Sequence, residues 1–172
     1  MSKSAKKSLF RYGLLSLVLF VSYIINVIPW SFSLWMAAPC LLIPFVVCVA
    51  MFEEFLPAAF FALAAGLLWD ASSGYLFGYN AFFLIIIAVS VNLLVLNLVR
   101  VNLPSGILLS FAATALFLLI FFFFFYVLFS REGLLTVFLF SILPSIVLTV
   151  IFSPLSYLVV KAIEKRFSRD AA

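Results

Sequence analysis

The chain has 172 residues, of which 68% are hydrophobic and 9% are charged, and its formal net charge is +4. Roughly a quarter of the residues in a soluble domain are charged, so this composition excludes an ordinary soluble domain and predicts an all-α integral membrane protein. The basic excess lies mainly in the two terminal segments. Because no soluble basic domain presents a surface, we expect no nucleic-acid partner.

Charged residues divide the chain into apolar blocks, and about 20 apolar residues are needed to cross a hydrocarbon core of roughly 30 Å. The first block is long enough for two helices, and Pro29 with Trp30 marks the break between them. The sequence predicts a compact bundle of six transmembrane helices in a single polytopic domain over 1–172. The predicted helices are Arg11–Ile28, Leu34–Phe52, Phe55–Trp69, Tyr79–Leu98, Pro104–Phe129 and Leu135–Val160.

Basic residues at both ends predict the orientation of the bundle. The tails 1–10 and 161–172 are basic, and an excess of Lys and Arg marks the cytoplasmic side of a membrane protein. Both termini are therefore predicted to be cytoplasmic, with Arg100 inside and Arg131 outside, and the tails are expected to contact anionic membrane lipids. The first apolar run has no small-residue processing site, so we expect a retained helix rather than a cleaved signal peptide.

Two cysteines and one asparagine lie within the predicted spans. Cys40 and Cys48, both predicted in the second helix, are two turns apart, too far to form a disulfide, and are expected to pack as small apolar residues. The chain contains no histidine, so no metal site is expected. Asn92 is the deepest amide of the predicted bundle, and a hydrogen bond between helices is its expected role.

Small residues recur every four positions along the third predicted helix, at Ala58, Ala62 and Gly66. Such a stripe lets a second helix approach closely, and in membranes packing rather than hydrophobicity drives helix association. Asp70 is the next member of the series. The spacing therefore predicts a packed helix interface that ends at a polar turn.

The turn itself is predicted from Asp70 and the residues after it. A carboxylate at mid-membrane costs at least about 2.5 to 3.5 kcal/mol, so Asp70 is expected near the outer boundary. If the third helix stops at Trp69, Asp70 is expected to accept hydrogen bonds from the backbone N–H groups of residues 71–73. Gly74 and Gly78 then supply the backbone freedom to reverse direction into the fourth helix.

The remaining polar and aromatic patterns do not predict catalysis. Glu53 and Glu54 are adjacent, so on a helix they would point in different directions, and we expect them to be solvated loop charges. Paired acid and base groups are not evident, so no enzyme activity and no cofactor are predicted. The five consecutive phenylalanines at 121–125 would cover every side of a helix and are expected to contact lipid and neighbouring helices rather than a ligand.

The stretch "GLLWDASSGYLFGYNAFF" at 66–83 carries a family resemblance. It reads G-x-x-x-D, followed by glycine four residues later and again four after that, and it enters the next span with a small residue. The residues are Gly66, Asp70, Gly74, Gly78 and Ala81. Together with six apolar spans, short loops, a basic amino terminus and "APCLLIPFVV" in the second span, the chain resembles the bacterial rod shape-determining protein MreD family.

The resemblance implies a non-enzymatic membrane scaffold of the cell-elongation machinery in the bacterial cytoplasmic membrane. Proteins similar to this one work with the bitopic scaffold MreC. Through MreC they work with the glycosyltransferase RodA, its penicillin-binding partner and the cytoskeletal MreB filament. On this sequence, the segment from Gly66 to Gly78 would be the structural signature beside the partner-binding surface. The stripe of Ala58, Ala62 and Gly66, ending at Asp70, would help to form or support a surface that holds a partner's transmembrane helix.

An alternative resemblance is to the substrate-binding membrane subunits of vitamin or micronutrient transporters. Those proteins also have six spans, a similar length and a glycine-rich turn with an aspartate near the third span, so the two families are expected to share a fold. Transporter subunits dock on their transport module through an alanine-x-x-x-alanine pattern in the first helix. The first helix here, "LFRYGLLSLVLFVSYIINVI", lacks that pattern, which favours the scaffold interpretation.

Overall fold

A computed structural model describes residues 3–27, 39–74, 76–127 and 134–168, which are almost entirely helical. Two π-helical segments are present: Phe123–Val127 directly follows the helix Leu103–Phe122, and Phe138–Ile142 joins Leu134–Val137 to Leu143–Ser168. The helices are α1 (Lys3–Val27), α2 (Leu42–Phe52), α3 (Phe55–Ser73), α4 (Tyr79–Asn97), α5 (Leu103–Phe122), α6 (Leu134–Val137) and α7 (Leu143–Ser168).

Five helical segments are long and apolar enough to cross a membrane, counted over the described residues. They are Ser8–Val27, Phe55–Ser73, Tyr79–Asn97, Leu103–Tyr126 and Leu135–Phe167. The prediction of an all-α, multi-pass membrane protein is therefore confirmed. The second predicted span differs, because its described helix is only Leu42–Phe52. The predicted break at Pro29 and Trp30, and the outward Arg131, lie outside the described residues.

Several predicted boundaries were too narrow. α3 continues to Ser73 instead of stopping at Trp69, so its 19 residues extend about 28 Å, close to the thickness of a hydrocarbon core. α1 begins at Lys3, within the segment predicted as a tail. α7 runs on to Ser168 and carries Lys165 and Arg166 in its last turn. Basic side chains interact favourably with the negative C-terminal end of a helix dipole, so α7 can continue past Lys161.

α2 forms the centre of the bundle. Every residue from Leu42 to Met51 is buried, and α2 contacts α1, α3, α4, α5 and α7. A helix that is apolar on all sides requires this environment, because no polar face is available for solvent. Cys48 is fully buried in this core, as expected for an apolar packing residue. Large apolar side chains instead cover the outward faces of the surrounding helices, which suits contact with lipid.

The beginning of α2 depends on α7 for a hydrogen bond. Cys40 lies before the helix, not inside it as predicted, and its backbone N–H donates to Thr149 Oγ1 at 3.0 Å. The Thr149 hydroxyl in turn donates to the carbonyl of Ser145 at 2.6 Å. Non-helical backbone at membrane depth is tolerated where protein satisfies its polar groups, as it does here.

α7 packs closely against a glycine of α5, and a serine hydroxyl replaces the backbone hydrogen bond that is lost at a proline within α7. A Cβ atom on Gly106 of α5 would lie 2.8 Å from the Tyr157 ring, so the two helices touch closely there. Pro154 lies inside α7 and has no N–H to donate to the carbonyl of Val150. The Ser153 hydroxyl donates to that carbonyl at 2.9 Å. This replacement lets the helix continue through the proline.

Candidate functional site: the aspartate-capped hairpin

The candidate site is the hairpin formed by α3 and α4, and Asp70 lies at its tip. Asp70 is in the last turn of α3 and is 4% exposed. Gly74 ends α3 with φ +66°, and Gly78 precedes α4 with φ +94°. Both angles are in the left-handed region, which glycine occupies without the steric cost that other residues meet. The predicted role of the two glycines in reversing the chain is consistent with these angles.

The Asp70 carboxylate caps the helix that follows its own. Its Oδ2 accepts hydrogen bonds from the backbone N–H groups of Gly78 at 3.0 Å and Ala81 at 3.2 Å. Its Oδ1 accepts from the N–H of Asn80 at 3.0 Å. These are the N–H groups that have no partner inside α4. A negative charge at that position also interacts favourably with the positive end of the α4 dipole.

The prediction that Asp70 binds the N–H groups of residues 71–73 was wrong. α3 continues to Ser73, so those groups follow the helical hydrogen-bond pattern and are not free to bind the carboxylate. Ser72 and Ser73 instead donate their hydroxyl hydrogens back to carbonyls of α3, at Trp69 and Asp70 respectively. The sequence carried a signal for the correct partners, because Gly78 precedes a new apolar run and so marks the N-terminus of a helix that needs a cap.

The stripe of small residues is buried inside the chain. Ala58 is 2% exposed, Ala62 is 0% exposed, and Gly66 is also buried. A Cβ atom on Gly66 would lie 2.2 Å from the Cα of Ala81, so the backbones of α3 and α4 meet at this point. Among the helices that the structure describes, α3 and α4 make the most extensive contact. The close-packed interface predicted from the stripe is therefore with the chain's own fourth helix, and at a partner interface its role would be to support the surface.

Aromatic rings pack around the same end of the hairpin. Trp69 stacks on Phe117, with ring centroids 5.3 Å apart. Tyr79 contacts Phe121 and Phe125 of the five-phenylalanine run at 6.1 and 5.3 Å. Two other members of that run, Phe123 and Phe124, are 55% and 47% exposed. The run therefore divides between packed and exposed rings, and no pattern in the sequence indicates that Tyr79 is its packing partner.

A second polar contact lies at the other end of the hairpin. The Asn92 side-chain N–H groups donate to the carbonyls of Ala50 at 3.1 Å and Glu53 at 2.9 Å. Carbonyls in the last turn of a helix have no partner within that helix, so Asn92 of α4 caps the C-terminus of α2. The predicted interhelical hydrogen bond is confirmed, and it anchors the hairpin to the central helix.

Replacing Asn92 by alanine is expected to destabilise the protein by about 1–2 kcal/mol, because two buried carbonyls lose their donor. This corresponds to a fall of roughly 2–8 °C in the melting temperature of a chain of this size. Asn97→Ala is the matched control, since Asn97 is exposed and its side chain donates to the carbonyl of Leu93 in its own helix. Thermal unfolding in detergent measures both variants, and equal shifts would contradict the capping role.

Sequence reasoning missed a charged cluster beside this contact. Glu53 was expected to be solvated, but it is 6% exposed and pairs with Arg11 of α1 and lies close to Glu164 of α7. Its neighbour Glu54 is exposed, as predicted. Arg11 and Glu53 each directly adjoin a long apolar run, and a charge in that position requires a partner. The sequence could not identify the partner, because 42 residues separate the two.

Comparison with known proteins identifies one family. The family model of the rod shape-determining protein MreD matches residues 6–165, which include the hairpin with Asp70 and both of its glycines. No curated protein and no solved structure matches the chain. The expected likeness in fold to the substrate-binding subunits of vitamin transporters is therefore not supported.

Proposed function

Because the chain belongs to the MreD family of rod shape-determining proteins, we propose that it is a non-enzymatic membrane scaffold of the cell-elongation machinery. In this role it binds MreC and helps to organise peptidoglycan synthesis. RodA, its penicillin-binding partner and MreB join the assembly directly or through MreC. The chain acts as a single polytopic domain in the bacterial cytoplasmic membrane.

The observation that supports a scaffold most directly is the rigid construction of the α3–α4 hairpin. Its helices meet backbone to backbone at Gly66, and Asp70 binds three N–H groups of α4 from α3. Such a unit keeps its outer face in a fixed shape, which lowers the entropy lost when a partner binds. On this proposal, Asp70 and the small residues support the partner surface from inside the chain.

The outer face of the hairpin is the surface that we assign to the partner helix. It carries large exposed side chains from both helices, including Phe60 and Leu63 of α3 and Phe82 and Ile86 of α4. A single-span partner such as MreC would pack its transmembrane helix here through van der Waals contact, which drives helix association in lipid.

The proposed orientation has both termini in the cytoplasm. Lys161, Lys165 and Arg166 are exposed on the last turns of α7, and Arg100 is exposed between α4 and α5. The excess of basic residues at these positions favours the cytoplasmic side. Asp70 and its turn then face the opposite side of the membrane.

The test is quantitative co-purification of MreC with the tagged full chain from native membranes in mild detergent. We expect MreC in fixed proportion to the wild-type protein, and a loss of at least about tenfold with Ile86→Trp, equivalent to about 1.4 kcal/mol. Leu116→Trp on α5 is the matched control, since Leu116 is 56% exposed and Ile86 is 44% exposed. Absence of MreC from the wild-type preparation would overturn the scaffold proposal. Equal loss with both variants would overturn the assignment to the hairpin face.

A further inference from the structure

Three charged side chains meet at the end of the bundle opposite Asp70. Arg11 comes from α1, Glu53 from the connection between α2 and α3, and Glu164 from α7. The Arg11 Nε donates to Glu53 Oε1 at 2.9 Å, and the same guanidinium forms an ion pair with the other oxygen of Glu53. Arg11 Nε also lies 3.3 Å from Glu164 Oε1. One cation therefore stands between two acids.

The cluster is largely removed from water, so its charge balance matters. The Glu53 side chain is 1% exposed and the Glu164 side chain is 14% exposed. With both acids ionised, the three groups would carry a net charge of −1. A buried charge without a partner is costly, and it is usually neutralised by a proton or by an opposite charge.

No second cation reaches the carboxylates among the side chains that the structure describes. On α1, the ring of Tyr12 lies beside the guanidinium, with its centroid 5.3 Å from the guanidinium carbon. On α7, the Lys161 ammonium lies 5.4 Å from the centre of the Tyr157 ring, and Lys165 is exposed. α5 contains no ionisable residue, and α2 contributes only the thiol of Cys48. Glu54, which precedes α3, is exposed.

Glu164 also lacks a hydrogen-bond donor. Its Oε1 is fully buried and receives no hydrogen bond in the described part of the chain. The single N–H at Arg11 Nε is already donated to Glu53. The two carboxylates are neighbours, because the Oε1 atom of each lies within 3.3 Å of the same nitrogen, Arg11 Nε. A proton on Glu164 would remove the surplus negative charge of the cluster. The protonated Glu164 would also donate a hydrogen bond to Glu53, which gives the buried Glu164 side chain a partner.

We propose that Glu164 holds a proton at neutral pH and shares it with Glu53 through a hydrogen bond, and that this proton fastens α7 to α1 and to the α2–α3 connection. Release of the proton to solvent leaves two ionised carboxylates beside one guanidinium, and their repulsion loosens the end of α7. The cluster thus makes the packing of α7 sensitive to pH. This inference concerns a proton site and does not depend on any partner.

Infrared spectroscopy of the full chain in lipid nanodiscs tests the proposal, because a protonated carboxylic acid has its own carbonyl band. We expect wild-type protein to show this band at neutral pH and to lose it in alkali. Glu164→Gln and Glu53→Gln are both expected to lack it, the second because Glu164 can then ionise against Arg11. Glu54→Gln is the control that keeps the band. Absence of the band from wild-type protein, or its survival in Glu53→Gln, overturns the shared proton.

Thermal unfolding provides a second readout of the same proton. An unfolded glutamate releases its proton above about pH 4.3, whereas the folded cluster retains one to higher pH. Over this pH range the folded state binds one more proton than the unfolded state. The cluster's contribution to the free energy of unfolding therefore falls as pH rises, until the cluster also ionises. We expect this fall in wild-type protein and a smaller fall in Glu164→Gln. The same dependence in both proteins would overturn the proposal.

Discussion

Replacing Gly66 by leucine is expected to separate α3 from α4 and to cause the largest loss of stability of any substitution considered in the hairpin. A Cβ atom at this position would lie 2.2 Å from the Cα and 2.6 Å from the backbone nitrogen of Ala81, and backbone atoms cannot move aside as a flexible side chain can. Overpacking of a core costs typically 1–3 kcal/mol and occasionally more, and we expect at least about 3 kcal/mol here. The melting temperature should fall by roughly 6–12 °C or more.

Gly13→Leu is the matched control for this substitution. It makes the same chemical change in a helix, but nothing lies within 4 Å of the Cβ position at Gly13, which faces outward from α1. We expect Gly13→Leu to leave the melting temperature within about 2 °C of wild type, because surface substitutions are usually within ±0.5 kcal/mol. On the proposed function, MreC recovery should fall with Gly66→Leu only. A Gly66→Leu protein that melts like wild type would show that the helices do not meet at this point.

Replacing Asp70 by alanine is expected to cost about 3 kcal/mol, because the N–H groups of Gly78, Asn80 and Ala81 lose their acceptor together. A buried donor without a partner costs about 1–3 kcal/mol, and water entering the turn would compensate for part of the total. The loss of negative charge at the start of α4 adds to the effect. Thermal unfolding measures the change, and hydrogen exchange of the first turn of α4 locates it.

Two further substitutions separate the cap from a general effect of charge. Asp70→Asn keeps one oxygen acceptor but no charge, so we expect its melting temperature to lie between those of wild type and Asp70→Ala. Glu54→Ala removes an exposed carboxylate at the other end of α3 that makes no side-chain capping bond, and we expect little change. If Glu54→Ala and Asp70→Ala shifted the melting temperature equally, the capping interpretation would be wrong.

Much of this fold follows from patterns that act over short distances along the chain. The apolar runs predict the helices, and the spacing of Ala58, Ala62 and Gly66 predicts a close helix contact. The glycines after Asp70 predict the turn, because the left-handed region is open to glycine. These signals are local, since each depends on residues within one or two helical turns.

The features that sequence reasoning missed depend on partners distant in the chain. Asp70 was correctly predicted to accept backbone hydrogen bonds at the turn. The predicted donors were wrong, because α3 ends four residues later than predicted. The pairing of Arg11 with Glu53 depends on how α1 packs beside the α2–α3 connection. Helix packing of this kind leaves no periodic signal, so it was found only in the structure.

The dependence of α2 on α7 also sets an order for biosynthesis. The N–H of Cys40 is paired with Thr149, which is made 109 residues later, or roughly 5–20 s at a ribosomal rate of about 5–20 residues/s. During that interval the start of the central helix has no acceptor from α7, and its contacts with α5 cannot form until Phe122 has been made. The central helix is therefore translated well before the last of the helices that enclose it.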